Sequence, residues 1–183
     1  MNSHQKVPDN QAVENTQPRQ AACPTRVAYC KANTSKERET ICQKPLAWDL
    51  EDARAMVAAM EAKGLPFMVH ENFRFQHPMR RVKEVLDSGA IGRPFFGRFS
   101  FRSFHDCYSA QPWLVDNERM IIIDVAVHLF DLARCFFGEP QTLVTDALRV
   151  NPIIAGEDVA TVLMHMDGAT CIVDASYETK SDH

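Results

Sequence analysis

The sequence predicts an α/β fold in which a short parallel-strand portion precedes an α+β domain with a largely antiparallel open sheet. The first indication is an amphipathic helical pattern at 48–64 that leads into a short apolar run at 65–75, as in buried parallel strands. The second is a series of three strand-like segments at 141–150, 157–166 and 169–179, separated only by short turns. Strands that follow one another so closely pair as an antiparallel meander.

The composition of the 183 residues excludes several classes of protein. A hydrophobic content of 45% and a charged content of 24% are typical of globular domains, and a formal net charge of −4 gives no reason to expect nucleic acid or an anionic membrane as partner. Asp124 and His128 interrupt the longest apolar run, and the amino terminus lacks the apolar stretch of a secretory signal. The six cysteines have no CxxC pair or zinc-ligand spacing, which indicates reduced thiols. We therefore expect a cytoplasmic protein.

Residues 1–40 differ from the rest of the chain. They are rich in Gln, Asn, Thr, Lys and Pro and show neither helical nor strand periodicity. We expect a disordered or unrelated leader there. From Ile41 the pattern changes abruptly, so that 41–76 is expected to form the parallel-strand portion and 77–183 the α+β domain.

Helix start and stop signals define the elements of the first half. The helix at 48–64 has acidic residues in its first turn and ends with Lys63 and Gly64. The apolar run at 65–75 is a strand whose carboxyl end reaches polar residues. The helix that follows closes at Gly89, and we expect its apolar residues to pack inward: Val82, Val85 and Leu86.

The second half begins with a strand at 95–104, whose alternating residues give it one apolar face. Residues 105–118 have the composition of a loop, and a helix is predicted at 121–137. Around that helix, four polar side chains lie within roughly 40° of one another on an otherwise apolar surface: Asp124, His128, Asp131 and Cys135. There are two alternatives for this polar stripe: its side chains form a buried set of ion pairs and hydrogen bonds, or they face a catalytic cleft.

Four motifs together resemble the Gfo/Idh/MocA oxidoreductases, in their order and spacing as well as in their residues. They are CQKPLA at 42–47, NFRF at 72–75, SGAIGRP at 88–94 and DVAVHLFDLARCFFGEP at 124–140. The resemblance covers about residues 41–179. It implies a Rossmann-type domain that binds NAD or NADP, followed by a domain whose open sheet often mediates oligomerisation, with a sugar, inositol or related polyol bound in the cleft between them. On this basis 41–76 is the end of the Rossmann-type domain and 77–183 an incomplete substrate and oligomerisation domain.

The resemblance also implies functional residues. The family's Glu-Lys-Pro motif falls on Gln43, Lys44 and Pro45, and its Asp-x-x-x-His motif falls on Asp124 and His128. The expected catalytic and substrate-binding residues are therefore Lys44, Asp124 and His128. The chemistry agrees, because oxidation of a carbinol needs a base for the hydroxyl proton, which suits His128, and a positive charge beside the developing alkoxide, which suits Lys44. Asp124 would orient the imidazole or the substrate hydroxyl.

Further candidates surround these residues. Asn72 and Arg74 follow a predicted parallel strand, where α/β proteins bind ligands, so together with Lys44 and Pro45 they are expected to contact the cofactor. Arg74 has an alternative role in an ion pair with Glu71 or Asp131. Trp113, like His105 and Tyr108, lies in the loop that would approach substrate, and the alternative for each is a packing or rim role. No third metal ligand accompanies Asp124 and His128, so we expect no metal.

The chain also departs from the family pattern. None of its seven glycines precedes Gly64, so no Gly-rich turn is available before Lys44 to bind a pyrophosphate, and Gln43 replaces the usual glutamate. The last predicted strand is followed almost directly by His183. We therefore expect a fragment of an oxidoreductase. The alternative is a non-catalytic module that associates through its open sheet.

Overall fold

The computed structural model describes residues 24–104 and 106–180. Its first part contains two parallel strands, in register from Thr40 opposite Phe67 to Gln43 opposite His70. Helices pack beside them. The elements, in chain order, are α1 (Pro24–Ser35), β1 (Thr40–Gln43), α2 (Leu50–Glu61) and β2 (Phe67–His70). This arrangement confirms the predicted helix and strand of the first half, and the side chain of Asp49 caps α2 by accepting a hydrogen bond from the backbone N–H of Glu51.

The expectation of disorder at 1–40 is wrong for residues 24–35, which form α1, and for Thr40, which begins β1. Residues 1–23 lie outside the described part of the chain, and an unrelated leader stays a prediction. Helix α1 packs on α2 and places Cys30, which is fully buried, against Cys42 and Met56. The Sγ atoms of Cys30 and Cys42 are 3.8 Å apart. The helix was missed because its contacts use one thiol and few large apolar side chains, which gives little periodicity to detect.

The second part is a four-stranded sheet with helices on one side. In chain order it contains a 3₁₀ turn (Phe73–Phe75), α3 (His77–Asp87), β3 (Phe96–Arg102), α4 (Cys107–Ala110), a second 3₁₀ turn (Pro112–Leu114), a π-helical turn (Ile122–Ala126), α5 (Val127–Phe137), β4 (Thr142–Leu148), β5 (Val159–Met166) and β6 (Ala169–Ser176). The strand order is β3-β6-β5-β4, with β3 parallel to β6 and the other two pairs antiparallel. The predicted fold class is confirmed, whereas the predicted loop at 105–118 contains two short helical segments.

The main core lies between α5 and the inner face of this sheet. Leu129 and Ala133 of α5 are buried in one cluster with Val162 and Val173 of the sheet. Gly97 of β3 permits the closest approach, because a Cβ atom there would lie 2.7 Å from the ring of Phe137. None of the helices in the described part of the chain is long and apolar enough to cross a membrane.

Helix α3 differs from its prediction. Val82 and Val85 are 43% and 37% exposed, so they do not pack inward, and Leu86 is only half-buried. Together with Pro78 and Ile91 they line an apolar groove. The amphipathic pattern correctly gave the apolar side of the helix, but within the described residues no element covers that side.

Candidate active site

The polar stripe on the π-helical turn and α5 meets the segments that follow β1 and β2. Parallel strands end at the same edge of a sheet, so these two segments reach the stripe side by side. Each of three stripe residues has a specific partner there: Asp124 with Lys44, His128 with Glu71, and Asp131 with Arg74. The stripe therefore fixes the end of the parallel-strand portion against the second part of the molecule.

Lys44 follows β1 directly, and a cis peptide bond joins it to Pro45. Its Nζ donates to Oδ1 of Asp124 at 2.9 Å and to the backbone oxygen of Asp124 at 2.5 Å. The side-chain Oε1 of Gln43, which stands where the family pattern has glutamate, accepts a hydrogen bond from the Lys44 backbone N–H at 3.0 Å. Lys44 is thus held with its charge partly shielded from water.

Asp124 lies in the π-helical turn and is buried, with a second partner besides Lys44. The hydroxyl of Tyr177 donates to its Oδ2 at 2.6 Å. Burial raises the pKa of Tyr177, and the hydrogen bond that it gives to the Asp124 carboxylate raises it further, so the hydroxyl stays protonated. Tyr177 was not predicted as a site residue, since strand alternation places it inward but carries no sign of its polar contact.

His128 is buried one turn later, and its Nδ1 lies 2.7 Å and 2.6 Å from Oε1 and Oε2 of Glu71. The ring of Phe73 stacks on the imidazole, with centroids 4.1 Å apart and planes 8° from parallel. Glu71 was predicted only as an alternative partner of Arg74. Asp124 does not bind the imidazole, because its hydrogen bonds go to Lys44 and Tyr177, and its other predicted role, orienting the substrate hydroxyl, stays a prediction.

Arg74 forms the ion pair that was its alternative role. Its Nε donates to Oδ2 of Asp131 at 2.6 Å, and its Nη2 contacts Oδ1 of the same carboxylate. This hydrogen bond raises the pKa of Arg74, although partial burial opposes the shift. Asn72 is exposed at the start of the 3₁₀ turn. Neither Asn72 nor Arg74 is among the residues that line the adjoining cleft, so their contact with a cofactor stays a prediction.

A cleft of about 300 Å³ opens where these segments meet. Lys44, Pro45, Asp124, His128 and Trp113 all line it, which brings together most of the predicted site. His105 lies outside the described residues, and Tyr108 is not among the lining residues. The sequence did not indicate several others that line the cleft: Trp48, Phe73, Phe101, Gln111 and Tyr177. The cleft therefore has aromatic side chains in its walls, side-chain amide groups, and one group each of three ionisable types: the amine of Lys44, the carboxylate of Asp124 and the imidazole of His128.

The α/β fold and this cleft are those of an oxidoreductase family. The sequence profile described as the GFO/IDH/MocA C-terminal domain matches residues 79–183, and the chain belongs to this family. The resemblance seen in the four motifs is confirmed.

Relatives with names agree with this assignment. The chain is 57% identical over 141 residues to a D-apiose dehydrogenase from Rhizobium rhizogenes, an alignment that covers 76% of this chain and 41% of the relative. It is 28% identical over 149 residues to a myo-inositol 2-dehydrogenase from Thermotoga maritima, covering 76% and 43%. A similar solved structure is the crystal structure of an oxidoreductase from Agrobacterium radiobacter in complex with NAD+, L-tartaric acid and magnesium. It superimposes on this chain with a TM-score of 0.84 and is 50% identical in sequence. The match covers 90% of this chain and 48% of that one. The chain spans less than half the length of these proteins.

Proposed function

We propose that this chain provides the substrate-binding and proton-transfer part of an NAD- or NADP-dependent dehydrogenase acting on a sugar, inositol or related polyol. The observation that carries the proposal is the convergence of Lys44, Asp124 and His128 on one cleft. These residues come from segments 80 and more positions apart in the chain, so local sequence does not place them together. A purely structural ion pair would not require an open cleft beside it.

His128 is the proposed base. Its imidazole takes the hydroxyl proton of the substrate while the hydrogen on the same carbon leaves with its electron pair, so that the carbinol becomes a carbonyl. Bound NAD or NADP would supply the acceptor for that hydride. Lys44 stabilises the negative charge that develops on the substrate oxygen, and its contacts with Asp124 hold its Nζ in place for this role.

The residues of this chain fit the reactive end of a dinucleotide better than its phosphates. Lys44 and Pro45 lie at the carboxyl end of β1, where α/β proteins bind ligands, and they line the cleft. We propose that they contact the nicotinamide, with Asn72 as a further contact, whereas Arg74 is engaged by Asp131. No glycine precedes Gly64, so this chain offers no Gly-rich turn for a pyrophosphate.

D-apiose is the substrate that we propose to test first, because the relative that is 57% identical carries the name of a D-apiose dehydrogenase. The aromatic side chains of Trp113 and Trp48 supply flat walls on which a sugar ring packs, and Gln111 offers an amide for its hydroxyls.

A chimera tests the proposal. Residues 41–179 of this chain replace the corresponding segment of the Rhizobium rhizogenes enzyme, and NADH or NADPH formation from D-apiose and from myo-inositol is followed spectroscopically. We expect turnover with at least one substrate. H128N should lower kcat by about 10²–10⁴-fold through loss of the base, and K44A by about 10²-fold through loss of the positive charge.

E84Q is the matched control, because Glu84 lies on α3 in an exposed pair with Arg81, away from the cleft, and should leave kcat unchanged. A chimera that folds and binds NAD+ but oxidises neither substrate would contradict the proposal. So would full activity in the H128N chimera.

The open sheet supports a second proposal, that copies of the chain associate as a homo-oligomer through it. Strand β4 is exposed along its whole length, with Leu143, Val144 and Leu148 each more than half exposed. This surface would equally serve the alternative of a non-catalytic module that binds a complete homologue. We also propose a cytoplasmic location, since the five cysteines in the described residues form no disulfide with one another.

A further inference from the structure

We propose that Glu71 is the positioning residue of His128. It holds the imidazole as the tautomer with hydrogen on Nδ1, so that the lone pair of Nε2 is free toward the cleft. This inference rests on the proposed function, in which His128 accepts the substrate proton. Neither the family motifs nor strand patterns assign Glu71 any such role.

The geometry of the pair determines which ring nitrogen carries hydrogen. Both oxygens of Glu71 lie within 2.7 Å of Nδ1, at 2.7 Å and 2.6 Å. An ionised carboxylate can only accept hydrogen bonds, so Nδ1 must be the donor. In a neutral ring the other nitrogen, Nε2, then has the lone pair. His128 lines the cleft and Glu71 does not, so we infer that Nε2, the ring nitrogen that Glu71 does not bind, is the one available to substrate.

The carboxylate is itself fixed before any substrate arrives. Oε1 of Glu71 also accepts the backbone N–H of Phe73 at 2.9 Å, which links the carboxylate to the 3₁₀ turn after β2. The Phe73 ring stacks on the imidazole and fixes its plane, while Glu71 fixes its rotation within that plane. Glu71 and Phe73 therefore form a support for His128. The side chain of Glu71 is 17% exposed and that of His128 is 9% exposed, so their contact is mostly shielded from water.

Competing partners for Nδ1 are engaged elsewhere. Asp124 binds Lys44 and Tyr177, and Asp131 binds Arg74. When Nε2 accepts the hydroxyl proton, the ring becomes positively charged while Nδ1–H remains bonded to Glu71. The negative charge of a carboxylate at this position offsets the new charge, so one group both orients the base and stabilises its protonated form.

The test is nuclear magnetic resonance of the purified chain labelled with ¹⁵N in histidine, at a pH where the imidazole is neutral. Long-range ¹H–¹⁵N correlations report which ring nitrogen is protonated, and H128N identifies the signals by their loss. We expect the Nδ1–H form of His128 to exceed the Nε2–H form by roughly tenfold or more, as a charge-assisted hydrogen bond implies. In E71A this ratio should fall by about tenfold or more, whereas in the control E84Q it should not change.

Circular dichroism establishes that E71A is folded. If E71A does not fold, the wild-type spectrum alone decides the question, because a predominantly Nε2–H His128 contradicts the proposal. An unchanged tautomer in folded E71A also contradicts it. The measurement needs neither cofactor nor turnover, so the two failures are distinguishable. An inactive chimera would overturn the proposed dehydrogenase function and leave only the tautomer assignment standing. An active chimera in which His128 is mainly the Nε2–H tautomer would overturn the role of Glu71 and leave the function standing.

Discussion

At the scale of residues, the polar stripe both forms ion pairs and lines a cleft. Asp131 is satisfied by Arg74 outside the cleft, as in an ordinary ion pair. Asp124 and His128 line the cleft; the partners of Asp124, Lys44 and Tyr177, line it too, whereas Glu71, the partner of His128, does not. The two interpretations of the stripe were therefore not alternatives. The same face of one helical segment joins two parts of the chain and places an imidazole in the cleft.

Tyr177 gives a prediction at this scale. Y177F removes the hydroxyl that donates to Oδ2 of Asp124 at 2.6 Å and leaves a buried carboxylate with fewer donors. We expect the free energy of unfolding to fall by about 1–3 kcal/mol, measured by urea denaturation. The matched control is Y108F, because the Tyr108 hydroxyl is buried without a hydrogen-bond partner in the described residues. Its removal should be neutral or slightly stabilising, and equal losses in both variants would show that Asp124 does not depend on Tyr177.

Short, local motifs led to the prediction of Lys44, Asp124 and His128 as residues of one site, and the three line one cleft. The sequence did not identify Glu71 as the partner of His128, or Tyr177 as the partner of Asp124, because these pairs join residues 57 and 53 positions apart. A pattern of polar and apolar residues indicates which face a side chain occupies. It does not indicate which distant side chain lies opposite.

At the scale of elements, the same limit applies to helices and strands. The alternation at 95–104 correctly gave the half-buried positions of β3, since burial needs only a period of two. The π-helical turn at Ile122–Ala126 interrupts the predicted helix at 121–137, and π-helical turns of this kind occur at functional sites. The apolar side of α3 was predicted correctly, but the prediction that this side packs inward was wrong. An amphipathic pattern shows which side of a helix is apolar and does not show which element, if any, packs on that side.

The outer face of the sheet gives a prediction about pH. Burial alone would raise the pKa of Asp174, but hydrogen bonds from Ser100, Arg102 and Arg98 outweigh it and the pKa is lowered. A carboxylate with a depressed pKa in the folded state contributes stability that is complete above its unfolded pKa of about 3.9 and is lost as pH falls through the folded pKa. D174N removes this contribution.

We therefore expect D174N to be about 1–3 kcal/mol less stable than the parent chain at pH 7, with the difference shrinking as the pH is lowered below about 4. Urea denaturation of both proteins at a series of pH values measures it. D167N is the control, because the Asp167 side chain is 87% exposed in its pair with Arg93 and its loss should change little at any pH. A difference that grows on acidification would show that Asp174 is not the stabilised carboxylate.

At the scale of the whole molecule, the sheet leaves one face without a covering layer in the described part of the chain. Register places Val144 of β4 in one row with Leu163 of β5 and Ile172 of β6, and Leu148 in a parallel row with Val159. Val144 is 61% exposed and Leu148 53% exposed. The apolar residues of these two rows lie on either side of the Asp174 row and form a surface at the β4 side of the sheet that a second copy can cover, since an isologous contact needs only a patch that matches itself.

We therefore expect the purified chain to be a dimer or larger in light scattering, and V144E to shift it toward monomer. A glutamate there would lose its hydration in the interface without gaining a partner, which is costly for a charge. V82E is the matched control, because Val82 is also an exposed valine, at 43%, but lies in the apolar groove of α3. Dissociation by V82E and not by V144E would place the contact on α3 instead, and a monomeric parent chain at high concentration would exclude association through the sheet.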